Sequence, residues 1–356
     1  MRFQGPPEQP QLELVGAETF GYEPSLKVRI LAAASGTPLS AEDWATLDDD
    51  VANAFANAAN RLQQRYGAAE LIGSHGQTVF HRPPQPDCLG VSWQLGRGAA
   101  IARQTGVPVV ADFRRADLEV GGQGAPLVPA VDACLLAVDG ETRCIQNLGG
   151  IGNVTWLPRR TEPNWLGQVR GWDTGPANSL LDLAVHWLSD GALSYDADGA
   201  WARQGQVHED LLQSWLADEY FTQVPPKSTG RERFGWLWLE QQMNRAAYLE
   251  AADWLATLTE FTAASIALEY ERYLPQAPDR VLLCGGGARN GLLRERLQAR
   301  LGCPVERTDD YGLDSDAKEA IAFAVLAWWR VQGFPGNLPA VTGAASLLPL
   351  GELFRP

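Results

Sequence analysis
This sequence predicts a two-domain α/β protein, and three observations carry that prediction. Its 356 residues exceed the roughly 250–300 at which a single hydrophobic core stops growing. Short apolar runs alternate with stretches of three-and-four spacing, the pattern of sheets covered by helices. Two segments also repeat one layout, a buried run ending in a glycine turn: RCIQNL at 143–148 leads into GGIGN, and RVLLC at 280–284 leads into GGGARN.

Taken in order, residues 11–32 alternate loosely. Leu12, Leu14 and Val15, then Val28, Ile30 and Leu31, predict strands. From Ser40 the spacing becomes helical through Trp44, Leu47, Val51, Phe55, Ala58 and Leu62. Ser40 with Asp43 three residues later fits an N-terminal cap, and Gly67 closes the helix. An apolar strand over 70–73 runs into the polar segment SHGQTVFH. Helices are predicted at 177–189, 241–273 and 316–331, and another after GGGARN carries Leu292, Leu293, Leu297 and Leu301. There is no solenoid repeat and no low-complexity tract.

Composition narrows the function. The charge sum, 29 − 43 = −14, opposes nucleic-acid binding, which needs Lys and Arg against phosphates. No run approaches the ~20 apolar residues of a membrane span, and MRFQGPPEQPQLEL lacks the layout of a secretion signal. The five cysteines form no CxxC pair, and their odd number argues against a disulfide framework. The expectation is a cytoplasmic protein that binds neither nucleic acid nor membrane.

Six segments stand out, each with two readings. Gly149 to Asn153 either simply turns the chain or lets backbone N–H groups approach an anion; Gly285, Gly286 and Gly287 share that ambiguity. Neither completes a Walker loop or GxGxxG. Asp173, before Thr-Gly-Pro, is either a turn-forming carboxylate or a general base. In SHGQTVFHRP, His75, Gln77 and Thr78 are hydrogen-bonding partners or sugar ligands, and the spacing of His75 from His81 suits no common zinc site. Asp112, Arg114, Arg115 and Asp117 make a surface ion-pair cluster or place an arginine against a substrate carboxylate. Lys227, Arg231 and Arg233 around a Ser-Thr-Gly turn are a solvated basic loop or a lid over an anion.

Together, in order, SHGQTVFH, DFRRADLEVGGQGAPLVP, QNLGGIGNVT, GWDTGPANSLLD, YDADGAWARQG, PPKSTGRE, LLCGGGARNGLL and GNLPAVTGA resemble the anhydro-N-acetylmuramic acid kinase family, from about residue 70 to the end. The resemblance implies a two-domain fold of the actin, hexokinase and Hsp70 type with ATP in a cleft between domains. It implies an N-terminal domain over 1–135 completed by about 330–356, and a second domain over 136–330. It further implies a cytoplasmic enzyme, dependent on ATP and Mg²⁺, that opens the 1,6-anhydro ring with water and phosphorylates the freed 6-oxygen in cell-wall recycling. Family members tend to be dimers. Asp173 matches the family's general base. Gly149, Gly150, Asn153, Gly285, Gly286 and Gly287 would line the nucleotide. His75, Gln77, Arg114 and Glu319 would face the sugar, and no residue is assigned to the metal.

The family's first strand and its phosphate loop, approximately Gly-Thr-Ser-x-Asp-Gly-x-Asp, have no counterpart before Ser40. Without them a sheet edge is expected to lie open. A start codon placed about 15–25 residues too far downstream accounts for this, by the size of one strand and one turn. A true loss would instead leave an anhydromuramic acid-binding protein without phosphoryl transfer. The other motifs are intact, which favours the first account. A kinase of the same architecture acting on another sugar is the third reading.

Overall fold
The computed structural model describes residues 1–356. The chain forms two compact units, one of Met1–Leu135 with Glu319–Pro356 and one of Leu136–Lys318.

The first unit opens with an antiparallel hairpin, β1 (Arg2–Gln4) and β2 (Gln11–Glu13). A helix, α1 (Pro24–Ala34), follows where the loose alternation predicted strands. The reason lies in the spacing: Leu26, Ile30 and Ala33 are four and three apart and are buried, while Val28 and Leu31 face solvent. Helix α2 (Ala41–Tyr66) begins at a capping box: the Ser40 hydroxyl accepts the Asp43 N–H while the Asp43 carboxylate accepts the Ser40 N–H. It ends at Gly67, whose φ of +100° suits glycine. The predicted strand shrinks to β3 (Ile72–Gly73), and much of SHGQTVFH is itself strand, β4 (Gln77–Arg82), paired antiparallel with β5 (Val91–Leu95). Then come α3 (Gly98–Thr105), β6 (Val109–Ala111), α4 (Arg115–Glu119) and α5 (Val128–Leu136).

The second unit is built on β7 (Arg143–Leu148), β8 (Ile151–Leu157), α6 (Trp165–Gln168), β9 (Arg170–Pro176), α7 (Asn178–Leu188) and α8 (Glu209–Leu216). Two helices follow, α9 (Trp236–Arg245) and α10 (Ala251–Tyr273), where one was predicted over 241–273. The break falls at Ala246, whose φ and ψ of −126° and 42° are not helical. Helix α10 buries side chains around most of its circumference, as a core helix must. The unit finishes with β10 (Arg280–Cys284), α11 (Gly291–Leu301) and β11 (Val305–Arg307). Its sheet runs β11-β10-β7-β8-β9. Strands β11, β10 and β7 are parallel, and β8 is antiparallel to both β7 and β9.

The chain then returns to the first unit through α12 (Lys318–Gln332), α13 (Pro339–Thr342) and β12 (Glu352–Phe354). Strand β12 pairs antiparallel with β6, which pairs parallel with β3, so β3 stands at one edge of a three-stranded sheet. The units exchange at Lys318/Glu319, so α12 lies almost wholly with the first unit, whereas the sequence placed the return near residue 330.

Candidate active site
In the second unit the glycine turns follow the C-terminal ends of two neighbouring parallel strands. Asn147 of β7 pairs with Cys284 of β10, and each strand then enters its turn. Gly285 has φ +78°, and a Cβ there would lie 2.5 Å from the Asn147 Oδ1. A Cβ on Gly287 would lie 2.7 Å from that of Leu148. These glycines therefore exist for close backbone approach, not only for a turn. GGIGN behaves differently. Its Gly149 carbonyl accepts the Asn178 N–H at 3.0 Å, and its Gly150 carbonyl accepts those of Ala177 (3.0 Å) and Ser179 (2.9 Å). The turn thus secures the start of α7, and the Asn178 side chain donates to the Leu148 carbonyl at 2.8 Å. Gly150 and Gly286 have no crowded neighbour at the Cβ position; the Arg231 guanidinium lies 3.6 Å from that of Gly150.

Register across three strands sets Asn147 opposite Asn153, and Asn153 opposite Asp173. Paired residues share a sheet face, so two amides and a carboxylate stand in a row at one end of the sheet. All three are half-buried between neighbours that are mostly fully buried. Asn147 was not predicted. Its signal was available, as the last polar residue before Leu-Gly-Gly.

Asp173 is held on three sides. Its Oδ2 accepts the Thr229 N–H at 3.0 Å, its own N–H donates to the Lys227 carbonyl at 3.2 Å, and its carbonyl accepts the Tyr220 hydroxyl at 2.6 Å. Burial pushes its carboxyl up to about 6; the Thr229 N–H opposes this and the Glu232 charge adds to it. A second carboxylate, Asp182 of α7, is also pushed up to about 6 by burial, with Arg231 opposing. The basic loop over 225–235 is therefore no free cluster of cations. Lys227 is buried against Glu269 at 2.7 Å, and Arg233 pairs with Asp218 at 2.6 Å. Arg231 instead lies beside the glycine turn at Gly150.

In the first unit His75 and Arg114 meet directly. Both the Nε and the Nη2 of Arg114 reach the His75 Nε2, at 3.2 and 2.9 Å, while Nη1 donates to the Gly124 carbonyl at 2.8 Å. Burial first, and then the Arg114 charge, lowers His75 to about 4, so the ring is neutral and accepts at Nε2. Burial also lowers Arg114, and the Glu319 charge at the start of α12 opposes this. One hydrogen on each terminal nitrogen of Arg114 is left for another acceptor. Gln77 is nearby in sequence, and its Oε1 accepts the Tyr22 hydroxyl at 3.1 Å. His81 turns to Ser92 instead, at 3.0 Å.

The charge cluster over 112–117 divides by burial. Arg115 makes exposed pairs with Glu119 and Glu352, the surface reading. Asp117 is fully buried and joins two distant segments: its oxygens accept the Gly124 N–H, the Asn337 amide and the Thr342 hydroxyl, each at 2.8 Å. Its role is to shape the loop that holds Arg114, which the sequence did not disclose. Among the described residues no group of three or more His, Cys, Asp or Glu side chains could hold a metal ion, and no helix is long and apolar enough to cross a membrane.

Comparison with known proteins adds the family. The family described as anhydro-N-acetylmuramic acid kinase matches residues 7–356. The anhydro-N-acetylmuramic acid kinase of Picosynechococcus sp. is 58% identical over 360 residues, covering 100% of this chain and 95% of the relative. That of Synechococcus elongatus is 60% identical over 343 residues, covering 96% and 91%. That of Synechocystis sp. is 55% identical over 354 residues, covering 96% and 91%.

Proposed function
The chain belongs to the anhydro-N-acetylmuramic acid kinase family, and from that premise we propose how its residues carry the reaction. It is a kinase that converts 1,6-anhydro-N-acetylmuramic acid to N-acetylmuramic acid 6-phosphate in cell-wall recycling, and ATP is the phosphoryl donor. Asp173 is the general base. It takes a proton from water as the water oxygen bonds to the anomeric carbon and the C1–O6 bond breaks. The departing O6 attacks the γ-phosphorus, the bond to ADP breaks, and the phosphoryl group takes the part of the acid in an ordinary glycosidase. The observation that carries this reading is the half-buried Asp173 carboxylate, oriented by the Thr229 N–H and in register with Asn153. A carboxyl pushed up to about 6 is ionised at neutral pH yet more basic than an ordinary aspartate.

Gly149, Gly150, Asn153, Gly285, Gly286 and Gly287 are assigned to the nucleotide, supported by the adjacency of the two turns. His75, Gln77, Arg114 and Glu319 are assigned to the sugar, with the remaining Arg114 donors suited to the lactyl carboxylate. Mg²⁺ accompanies ATP in this reading. When bound with ATP it would offset the negative charge on the phosphate oxygens during transfer. A cytoplasmic location and a homodimer complete the proposal on family grounds.

The test is ADP release with anhydromuramic acid, with the product identified by mass, for the parent and for Asp173→Asn. The parent turns over, and the variant loses at least about a hundredfold in kcat, the usual weight of a general base. A well-folded, fully active variant refutes the assignment. Ligand-induced thermal stabilisation of the parent without ADP release would point to a binding protein instead.

A further inference from the structure
We propose that the buried Lys227–Glu269 ion pair, with Tyr220, is a positioning clamp that presses the 225–235 loop onto β9 and so fixes the Asp173 carboxylate. The proposal rests on Asp173 as the base.

The clamp is a closed circuit of contacts inside the second unit. The Lys227 Nζ donates to Glu269 at 2.7 Å and to the Tyr220 carbonyl at 3.1 Å, and it lies 4.6 Å from the ring centroids of Tyr220 and Tyr273. Glu269 Oε2 accepts the Trp172 indole N–H at 2.9 Å, so the residue just before Asp173 is tied to the same carboxylate. From Lys227 two backbone links reach the base: its carbonyl accepts the Asp173 N–H, and the Thr229 N–H, two residues on, meets Oδ2. Tyr220 closes the circuit from the other side through its hydroxyl on the Asp173 carbonyl.

An ion pair this deeply buried is poor stabilisation, because desolvating both charges offsets their attraction. Apolar residues would hold a loop at least as well, so its worth lies in direction: the ammonium has fixed donors and sits between two aromatic faces. The charged and titratable groups set around Asp173 are Glu232 on the loop, Tyr220 on the preceding turn, and Lys227 with Glu269 behind them. Releasing the loop withdraws the Thr229 N–H, the one donor that favours the ionised form.

The experiment uses the full chain with ATP and 1,6-anhydro-N-acetylmuramic acid. It compares the parent with the double variant Lys227→Met/Glu269→Gln, which leaves no lone buried charge, and with Tyr220→Phe, which keeps the ring. Turnover is measured between about pH 5 and 9. The acid limb of kcat should move upward by about one pH unit, and kcat at neutral pH should fall about tenfold with KM little changed. Tyr220→Phe moves it the same way and decides the matter if the double variant does not fold. An acid limb that stays at the parent's position, whatever kcat does, overturns the clamp. Asp173→Asn is measured alongside: if it is active, the base assignment itself fails. If it is inactive while the limb stays put, only the clamp fails.

Discussion

At the scale of single residues, Asp173 shows a conflict between stability and chemistry. Its carboxyl is raised from 3.8 to about 6, mainly by burial. Between those values the unfolded chain has released the proton and the native state still holds it. Stability therefore falls as pH rises through that window, and the whole penalty, up to roughly 3 kcal/mol, is present above it. Asp173→Asn removes the penalty and still offers an acceptor to the Thr229 N–H. We expect the inactive variant to melt several degrees higher than the parent at pH 7.5, with the gain vanishing near pH 4. A variant that melts lower at neutral pH would show that the carboxylate is better solvated than its burial implies. His75 makes the complementary point. With its ring lowered to about 4, it accepts from Arg114 without competing for charge, so it orients the guanidinium rather than titrating near neutrality.

Single residues act through the elements that carry them. The turn after β10 works because Gly285 can take φ +78° while passing against Asn147. Gly285→Ala adds a methyl group 2.5 Å from the Asn147 Oδ1 in a backbone conformation alanine avoids. The turn must shift, and the KM for ATP should rise about tenfold or more while the KM for the sugar changes little. Equal effects on both would mean the turn is not part of the nucleotide site. The sequence disclosed this element well: a buried strand, a glycine run and a leucine-spaced helix are local patterns. It disclosed α1 poorly, because Val28 and Leu31 are apolar without being buried. Read by apolarity alone, that segment alternates; read by the buried set Leu26, Ile30 and Ala33, it is a helix.

At the scale of the whole molecule, the first unit draws on both ends of the chain. Asp117 accepts hydrogen bonds from Asn337 and Thr342, more than two hundred positions away. Asp117→Ala leaves the Gly124 N–H, the Asn337 amide and the Thr342 hydroxyl without their acceptor, and it should destabilise the protein by about 2–4 kcal/mol in denaturant titration. Because the same loop supplies the Gly124 carbonyl to Arg114, the KM for the sugar should rise as well. A loss below about 0.5 kcal/mol would place the junction elsewhere.

The sequence by itself determined the α/β class, the ends of α2, the two strand–glycine-turn units and, through motifs in order, the family. These are local in the chain: periodicity, caps and turns follow from neighbours within a few residues. Tertiary structure alone decided which charges are available. Lys227, Arg231 and Arg233 read as equals in PPKSTGRERFG, yet Glu269 and Asp218 claim two of them from other elements. Arg114 and Arg115 are adjacent, yet one is half-buried on His75 and the other pairs at the surface. The physical reason is that a side chain's charge state and partners depend on burial and on residues brought from far along the chain, and neither is encoded in spacing.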